Sequence, residues 1–400
     1  MTDHQYYYII VGGGLAGASA VAGIREVDKK RGICLIAREP YLPYHRPPLT
    51  KGLWSGKKKI GEIFINKDEY YRQSGVDVRR ESLVVSINTN LKTVTDSEGT
   101  TYRFEKLLLA TGGIPLRLHL SGPERNGTIY YRGLDDYLKV ASYAEAKKKI
   151  LVIGGGFIGS ELAAGLAMKN CQVTMLMPDP WPCSRLFPDY LGKHMAAVFE
   201  SRGIQLVPND RAVALEKKHD RSIVRTQNGQ EIVAEAIVAG VGIRPSTELA
   251  QNAGLETHQG IRVNQFLQTS HPDIFAAGDC AIFPAKHFNT PVRIEHWDNA
   301  LNQGKFAGAN MAGAGQPYDY QPYFFSDLFD FGYEAVGDIN SGLHTYADWQ
   351  KENEQGIIYY LQDNVPRGIM LCNVYEKINE ARAMLDRKEP ATIENLRGAL

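Results

Sequence analysis

One glycine-rich turn occurs twice in this chain, each time between an apolar run and a helix-forming segment. The first copy is GGGLAG, after the apolar residues 7–11, and the second is GGGFIG, after residues 149–153. In a G-x-G-x-x-G turn the first glycine permits a sharp bend, the second lets a pyrophosphate approach, and the third lets helix and strand pack closely. The repeat therefore predicts two βαβ units, each built to bind a dinucleotide.

The segments after each turn repeat the same order of elements. Buried-type strands are expected at residues 33–37 and 172–177, followed by hairpins that turn at residues 97–99 and 228–229. Each copy then has a strand that runs into glycine, KLLLATGG in one and AIVAGVG in the other. The later segment HPDIFAAGD is typical of a strand that returns to an earlier sheet, so we expect the second unit to be inserted into the first.

The pattern changes after about residue 321 and indicates a small α+β domain. Three short strands and a closing helix are expected there, at residues 333–338, 356–361, 368–375 and 376–387. Residues 337–356 are expected to form a short connection. The predicted fold class is therefore α/β, with two Rossmann-like dinucleotide-binding domains followed by a C-terminal α+β domain.

Charge and hydropathy exclude several classes of partner. Lys and Arg together number 45, as do Asp and Glu, so no net field draws the chain to nucleic acid or to an anionic membrane. The first residues lack the pattern of a signal peptide, and no uncharged apolar stretch approaches the roughly 18 residues of a membrane span. We therefore expect a cytoplasmic protein that binds no nucleic acid and does not span a membrane.

An acidic residue follows the strand after each glycine turn, Glu39 in CLIARE and Asp179 in MLMPDP. A carboxylate at this place binds ribose hydroxyls and repels a 2′-phosphate, which favours NADH over NADPH at the second site. Arg185 lies nearby in the sequence and could accommodate a 2′-phosphate, so NADPH stays open as the alternative. Two dinucleotide sites in one chain indicate a bound flavin and an exchangeable nicotinamide, because hydride passes between these cofactors without a protein acid or base.

The domain boundaries are predicted from this order of elements. The FAD-binding domain is expected to comprise residues 1–118 and 241–321, with the NADH-binding domain at 119–240 between its two parts. Residues 322–400 are expected to form the C-terminal interface domain. The chain is thus predicted to be an enzyme, an oxidoreductase that uses FAD and NADH.

The five cysteines include no C-x-x-C or C-x-x-x-x-C pair. Neither a disulfide framework nor a metal site is predicted from an odd number at these spacings. Cys280 is expected to be buried packing rather than a reactive thiol. We therefore expect electrons to leave the flavin directly rather than through a protein disulfide.

Several segments together resemble the FAD-dependent pyridine nucleotide oxidoreductases: GGGLAG, LPYHRPPLTKGLW, LLLATGGIP, GGGFIGSELA, VGIRP and IFAAGDC. The resemblance covers nearly the whole chain and falls in the branch that holds oxygenase-coupled ferredoxin reductases and apoptosis-inducing factor. The segments IEHWD, FFSDLFDFGYEAVG and IMLCNVYEKINEAR are more similar to apoptosis-inducing factor than to the ferredoxin reductases. The resemblance implies a glutathione-reductase-like fold and an enzyme that depends on NAD(P)H.

The resemblance also implies which residues bind the cofactors. The FAD contacts that it implies are Gly12, Gly14, Leu15, Ala16, Gly17, Glu39, Arg46, Lys51, Ala110, Thr111, Gly112 and Asp279. The other cofactor-binding residues expected on this pattern are Gly154, Gly156, Phe157, Ile158, Gly159, Glu161, Asp179, Gly242, Glu295, His296 and Phe325. Phe325 stands where the family usually has tryptophan, so a stacking or electron-exit role does not carry over from that residue.

Four of these residues are expected to carry the catalytic roles. The resemblance implies that Lys51 lies near the reactive edge of the flavin and pairs with Glu161, which would spare both charges the cost of burial alone. It places Phe157 between flavin and nicotinamide, where the ring would move aside for NADH. The simpler alternative for Phe157 is a core aromatic at the start of a helix. His296 is expected close to the nicotinamide.

The sequence leaves two functions open. The favoured one is a reductase that passes electrons from NADH to a ferredoxin-like or rubredoxin-like protein, or to a quinone. The alternative is a redox sensor like apoptosis-inducing factor, in which a stable NADH charge-transfer complex switches dimerisation or partner binding. A homodimer is compatible with both.

Overall fold

The computed structural model describes residues 4–122, 127–218, 221–286, 288 and 290–400. The chain divides into two compact units, each assembled from three separate stretches of sequence. The first unit comprises Met1–His45, Ile60–Ile114 and Arg244–Pro322, and the second comprises Arg46–Lys59, Pro115–Ile243 and Tyr323–Leu400. Residues far apart in the sequence therefore share each unit.

A sheet of five parallel strands forms the centre of the first unit. Its strands are, in order across the sheet, Ile274–Ala276, Lys106–Leu109, Tyr8–Val11, Ile33–Ile36 and Val76–Arg79. All four residues of the middle strand are buried, which is typical of a parallel sheet. The expected return of the HPDIFAAGD segment is confirmed, because Ile274–Ala276 pairs in parallel with Lys106–Leu109.

Two helices of the first unit, Leu15–Val27 and Trp297–Met311, pack closely on each other. A Cβ atom at Gly304 would lie 2.2 Å from the backbone oxygen of Ala16, so only glycine permits this approach. The contact places the start of the first glycine-turn helix beside the helix that begins within the IEHWD segment.

The second unit contains a parallel sheet with the same arrangement. Its strands are, in order, Thr128–Tyr130, Ala236–Ala239, Lys149–Ile153, Gln172–Leu176 and Gln205–Val207. In both sheets the strand before the glycine turn is central and the next strand of the βαβ unit lies beside it. The predicted duplication of a Rossmann-like unit is therefore confirmed.

Each unit also carries a small sheet with three antiparallel strands, and in the first unit His4–Gln5 adds a fourth strand, parallel to Thr101–Arg103. The strands are Val84–Asn88, Thr93–Asp96 and Thr101–Arg103 in the first unit, and Ala212–Lys218, Arg221–Thr226 and Glu231–Ala234 in the second. The two predicted hairpin turns are confirmed. The amide of Gly99 donates to the oxygen of Asp96 at 3.0 Å, and the amide of Gly229 donates to that of Thr226 at 3.1 Å.

The C-terminal part of the second unit is a five-stranded antiparallel sheet. Its strands are, in order, Tyr323–Leu328, Phe331–Gly337, Val365–Cys372, Gln355–Gln362 and His344–Lys351. The expectation that residues 337–356 form only a short connection is wrong, since they include the eight-residue strand His344–Lys351. This strand lies at the sheet edge and is mostly half-buried, so its sequence lacks the apolar run of a central strand.

The remaining elements connect or cover these sheets. The other strands are His4–Gln5, Gly113–Pro115, Ile243–Pro245, Ile261–Arg262 and Ala281–Ile282. The other helices are Gly52–Ser55, Asp68–Gln73, Leu134–Glu145, Phe157–Met168, Asp189–Ser201, Glu248–Asn252, Ile378–Arg387 and Ile393–Leu396, with 3-10 turns at Pro47–Leu49 and Ile60–Glu62. Within the described ranges, no helix has both the length and the apolar character that a membrane crossing requires.

Candidate functional site

The first glycine turn has the geometry that a dinucleotide site requires. Gly12 has φ +128°, and a Cβ atom there would lie 2.1 Å from the backbone oxygen of Ala110. A Cβ atom at Gly17 would lie 2.1 Å from the oxygen of Gly12, so both positions exclude any side chain. At Gly14, in contrast, a Cβ atom would meet no atom of the described residues within 4 Å. The middle glycine therefore faces open space, where a pyrophosphate can approach the backbone.

The second glycine turn repeats this geometry. Gly154 has φ +116°, and a Cβ atom there would lie 2.4 Å from the oxygen of Gly240. A Cβ atom at Gly159 would lie 2.0 Å from the oxygen of Gly154, whereas one at Gly156 would meet nothing within 4 Å in the part of the chain that the structure describes. Both turns thus have two positions closed by packing and one position open toward a ligand.

Among the described residues, no side chain caps the start of either helix that follows a glycine turn. Gly14 precedes Leu15 and Ala16 in the helix Leu15–Val27, and no side chain among the described residues accepts a capping bond at this end. The helix Phe157–Met168, which starts with Phe157 and Ile158, is also uncapped, and neither first turn contains an acidic residue. The N–H groups and the positive end of each helix dipole are therefore suited to hold a pyrophosphate.

The acidic residues lie where the sequence predicts them. Glu39 follows the strand Ile33–Ile36, and the Tyr44 hydroxyl donates to its Oε2 at 2.5 Å. Asp179 follows the strand Gln172–Leu176 and is half-buried. Each carboxylate therefore stands beyond the carboxyl end of a parallel strand, where a ribose binds in this type of fold.

The AAGD turn lies against the first glycine-turn helix. A Cβ atom at Gly278 would lie 3.0 Å from the Cβ atom of Ala16, and the Gly278 amide donates to Oε1 of Gln303 at 2.7 Å. These contacts place Asp279 next to the helix that starts at Leu15. The first unit therefore brings Asp279 together with the glycine turn, as the resemblance implies for an FAD site.

The segment 110–112 is held by a second turn of the first unit. The Thr111 hydroxyl donates to the backbone oxygen of Ser246 at 2.7 Å, and the Ser246 amide donates to the oxygen of Gly112 at 2.9 Å. The backbone of Ala110 packs directly against Gly12. In the second unit, the oxygen of Gly242 accepts from the Leu116 amide at 3.0 Å.

His296 is the residue before the helix Trp297–Met311. Burial lowers its pKa to about 4, although the nearby charge of Asp279 acts in the opposite direction. Arg293 donates to the backbone oxygen of Asp279 at 3.3 Å and forms an ion pair with Glu295. Asp279, Glu295 and His296 are therefore brought together, and the imidazole is neutral at pH 7.

Lys51 and Glu161 form an ion pair inside the second unit. The Glu161 side chain is 4% exposed, and its Oε1 accepts from the Lys51 ammonium. The Thr50 hydroxyl donates to Oε2 at 2.5 Å and the Ser326 hydroxyl donates to Oε1 at 2.5 Å. Three donors therefore satisfy this buried carboxylate, and the predicted contact between Lys51 and Glu161 is confirmed.

Two phenylalanines of the strand Tyr323–Leu328 contact predicted site residues. The ring of Phe324 meets the ring of Phe157 edge to face, with centroids 5.4 Å apart. The Lys51 ammonium lies 5.4 Å from the centroid of the Phe325 ring, within the range of a cation–π contact. Phe325, at the position where the resemblance leads one to expect tryptophan, thus contacts Lys51.

Arg46 belongs to the second unit with Lys51. Its Nη1 donates to the backbone oxygen of Arg132 at 2.7 Å. The glycine turn, Glu39, the 110–112 segment and Asp279 belong to the first unit.

Sequence reasoning missed three residues that support these groups, namely Thr50, Ser326 and Gln303. Thr50 and Ser326 lie within the quoted segments LPYHRPPLTKGLW and FFSDLFDFGYEAVG, directly next to Lys51 and Phe325. Their hydroxyls gave no signal because Ser and Thr are common in every environment. Only the fold shows that both reach the same carboxylate.

All five cysteines are buried and unpaired. Burial raises the pKa of every one of these thiols, to about 12 for Cys34 and Cys183. The Cys280 thiol is fully buried and donates to the backbone oxygens of Leu109 and Ala277, so the expected packing role is confirmed. Within the described residues no group of His, Cys, Asp and Glu is arranged to hold a metal ion.

Two Rossmann-like units with matching open glycine turns define a class of protein, the oxidoreductases that use two dinucleotide cofactors. The comparison with family models agrees with this class. Residues 6–304 match the pyridine nucleotide-disulphide oxidoreductase model, and residues 307–355 match the C-terminal model of mitochondrion-associated apoptosis-inducing factor. The chain belongs to the pyridine nucleotide-disulphide oxidoreductase family and is an NAD(P)H-dependent flavoprotein oxidoreductase, and FAD and NAD(H) are the cofactors of its relatives.

The chain is similar to proteins whose names describe different functions. The chain is 32% identical to mitochondrial apoptosis-inducing factor 1 of Dictyostelium discoideum, over 98% of this chain and 80% of that protein. It is 29% identical to a monodehydroascorbate reductase of Solanum lycopersicum, over 99% of this chain and 98% of that protein. Among solved structures, a covalent putidaredoxin reductase–putidaredoxin complex matches with a TM-score of 0.91 and 28% identity, over 98% of this chain and 95% of that chain.

Proposed function

We propose that this protein oxidises NADH with a bound FAD and passes the electrons to a small redox protein of the ferredoxin or rubredoxin type. The observation that carries this proposal is the pair of glycine turns, which have the same closed and open positions in two separate Rossmann-like units. One unit can hold a resident dinucleotide while the other exchanges its own. FAD, when bound, supplies an acceptor that takes a hydride equivalent and can release single electrons.

The first unit is proposed to hold most of the FAD. The open position at Gly14 and the uncapped helix at Leu15 would take the pyrophosphate, while Glu39 would bind the ribose of the adenosine half. Asp279 would accept bonds from the hydroxyls that lead to the ring. Arg46 and Lys51 are proposed as further FAD contacts.

The second unit is proposed to hold NADH. The open position at Gly156 and the uncapped helix at Phe157 would take its pyrophosphate, and Asp179 would bind the ribose and repel a 2′-phosphate. On this assignment the FAD domain comprises residues 1–118 and 241–321, the NADH domain 119–240 and the interface domain 322–400.

Four residues are proposed to arrange the two cofactors for transfer. Lys51 would place a positive charge at the reactive edge of the flavin, and Glu161 holds that charge in one position. The Phe157 ring would occupy the nicotinamide position and move aside when NADH binds. His296, neutral because burial lowers its pKa to about 4, would offer a hydrogen bond beside the nicotinamide without competing as a cation.

The choice of a protein acceptor rests on two observations. All five thiols are buried and protonated at neutral pH, which does not support a relay through a protein disulfide. The structural match to a reductase bound to putidaredoxin covers nearly the whole of both chains. The likeness to monodehydroascorbate reductase adds a small organic radical to the acceptors to be tested.

A second function is favoured by the C-terminal region. Residues 307–355 match the apoptosis-inducing-factor model, and the similar protein of Dictyostelium discoideum carries that name. On this alternative the chain senses the supply of NADH, and reduction of its FAD changes a homodimer or another protein contact. This alternative predicts slow reoxidation by every acceptor and a change in molecular mass with NADH.

The protein is also proposed to work in the cytoplasm without binding nucleic acid. Five unpaired cysteines suit a reducing compartment. Equal numbers of basic and acidic residues give no general attraction to phosphate backbones.

Anaerobic stopped-flow mixing tests the proposed function. Reduction of the bound FAD by NADH, faster than by NADPH, followed by prompt reoxidation with a ferredoxin or rubredoxin, is the expected result. Fast reoxidation only by monodehydroascorbate or a quinone would assign a different acceptor. Failure of both nucleotides to reduce the FAD would remove the proposal.

A further inference from the structure

One strand of the C-terminal sheet contacts three of the four proposed catalytic residues. Phe324 meets Phe157, and Ser326 donates to Glu161. The intervening residue, Phe325, lies under the Lys51 ammonium. The C-terminal sheet therefore supplies part of the proposed site, although its sequence carries no cofactor-binding motif.

The contacts follow from a match between helix and strand spacing. Phe157 and Glu161 are four residues apart and lie on one face of their helix, about 6 Å apart along its axis. Phe324 and Ser326 are two residues apart and lie on one face of their strand, about 6.6 Å apart. The two pairs therefore meet residue by residue.

Ser326 is well placed to control the glutamate. Ser326 is 1% exposed. Its hydroxyl donates to Oε1 of Glu161, the same oxygen that accepts a hydrogen bond from the Lys51 ammonium. Thr50 holds the other oxygen, so rotation of the carboxylate would break at least one bond. The directly paired residue on the neighbouring strand is Tyr333, whose phenol stays neutral because burial raises its pKa.

We propose that Ser326 is a positioning residue, which fixes the Glu161 carboxylate so that Lys51 is held in one place beside the flavin. This inference rests on the proposed function, in which Lys51 acts at the flavin. The hydroxyl acts through the carboxylate and not on either cofactor. Its effect should therefore depend on the presence of Lys51.

A double-mutant cycle on the FAD-loaded protein tests this dependence. Ser326→Ala is expected to lower the limiting rate of FAD reduction by NADH by about tenfold or more, because the Glu161 carboxylate loses one of its three donors. It should also lower the midpoint potential of the bound FAD, because a less fixed cation stabilises the added charge less. Ser326→Thr, which keeps the hydroxyl, should restore most of both values.

In a Lys51→Met background, Ser326→Ala is expected to change the rate by less than about twofold and to leave the midpoint potential nearly unchanged. An equal effect of Ser326→Ala with and without Lys51 would overturn the inference, since it would show a general packing role. Should Ser326→Ala fail to fold, Ser326→Cys keeps the size, weakens the donor and takes its place in the cycle.

Thr226→Val is the matched control. It removes another buried hydroxyl of the second unit, one that accepts from the Gln230 amide at 3.1 Å and does not contact Glu161. Suppose that NADH reduces the FAD of the wild type quickly and that of Lys51→Met slowly. If Ser326→Ala then changes the rate no more than Thr226→Val does, this inference is overturned and the proposed function stands. A wild type that NADH does not reduce would overturn both.

Discussion

The Lys51 ammonium and the Glu161 carboxylate form an ion pair in which 13% of the lysine side chain and 4% of the glutamate side chain are exposed. Hydroxyl groups of Thr50 and Ser326 complete the bonding of the carboxylate. Such a pair contributes little net stability, because desolvation offsets much of the attraction. Removing one partner, however, leaves the other charge buried alone.

The pair therefore predicts unequal effects of single and double substitutions. Lys51→Met is expected to lower the free energy of unfolding by about 3 kcal/mol, because it leaves a buried carboxylate without its cation. The double variant Lys51→Met with Glu161→Gln should lose less stability, because neither charge of the buried pair remains. Urea unfolding of the wild type and these two variants checks this order. A double variant less stable than Lys51→Met would contradict it.

The glycine turns predict variants that separate folding from binding. Gly14→Ala should fold, since its Cβ atom meets nothing within 4 Å, but the protein should lose FAD. Gly156→Ala should also fold, keep its FAD and raise the NADH KM by about tenfold or more, because the methyl group occupies the place of a phosphate. FAD content and steady-state kinetics measure both effects.

Gly12→Ala serves as the comparison for that prediction. Its Cβ atom would lie 2.1 Å from the oxygen of Ala110 at φ +128°, so this variant should fail to fold. A well-folded Gly12→Ala, or a Gly156→Ala with normal NADH affinity, would disagree with the assigned geometry.

The sequence predicted those parts of the fold that have a strong local signal. The glycine turns, the central strands Tyr8–Val11 and Lys149–Ile153, and both hairpin turns are found where expected. The edge strand His344–Lys351 was missed because a half-buried strand with mixed polarity has no run of apolar residues.

In the candidate site, too, sequence reasoning found only the residues that have a recognisable sequence signal. Lys51 and Glu161 were identified through sequence segments that resemble a family. Ser326 and Thr50 were not, because a hydroxyl becomes informative only when the fold brings it to a carboxylate far away in the sequence. The bond between Ser326 and Glu161 joins residues 165 positions apart, a distance that no local pattern can report.

His296 predicts a loss of stability in acid. Its pKa is about 4 in the folded protein, whereas an exposed histidine has a pKa of about 6.5. Above about pH 6.5 both states hold a neutral ring. As the pH falls from there to about 4, the unfolded chain takes up a proton that the folded protein does not, which lowers the free energy of unfolding by about 3 kcal/mol.

The pH dependence of the unfolding midpoint in wild type and in His296→Gln measures this effect. The variant should lose less stability between about pH 7 and pH 4.5, because it has no ring to protonate. The exposed His258→Gln is the control and should follow the wild type. Parallel curves for wild type and His296→Gln would contradict the prediction.

The thiols predict resistance to alkylation. All five are buried, and burial raises the pKa of each, so the thiolate that reacts with such reagents is scarce in the folded protein. Native protein should therefore react with a chromogenic disulfide reagent at fewer than about one thiol, and unfolded protein at all five. Fast reaction of one thiol that also stops electron transfer would instead indicate a thiol route.

Asp179 predicts the nucleotide preference. A carboxylate after the strand Gln172–Leu176 binds the ribose 2′-hydroxyl and repels a 2′-phosphate, so Asp179→Ser should lower the ratio of kcat/KM for NADH over NADPH by about tenfold. Glu39→Ser, the equivalent change in the first unit, should lower FAD content and leave that ratio unchanged. Steady-state kinetics with both nucleotides measure the ratio. If Asp179→Ser keeps the wild-type preference, the discrimination must come from another residue, and the exposed Arg185 is the next to substitute.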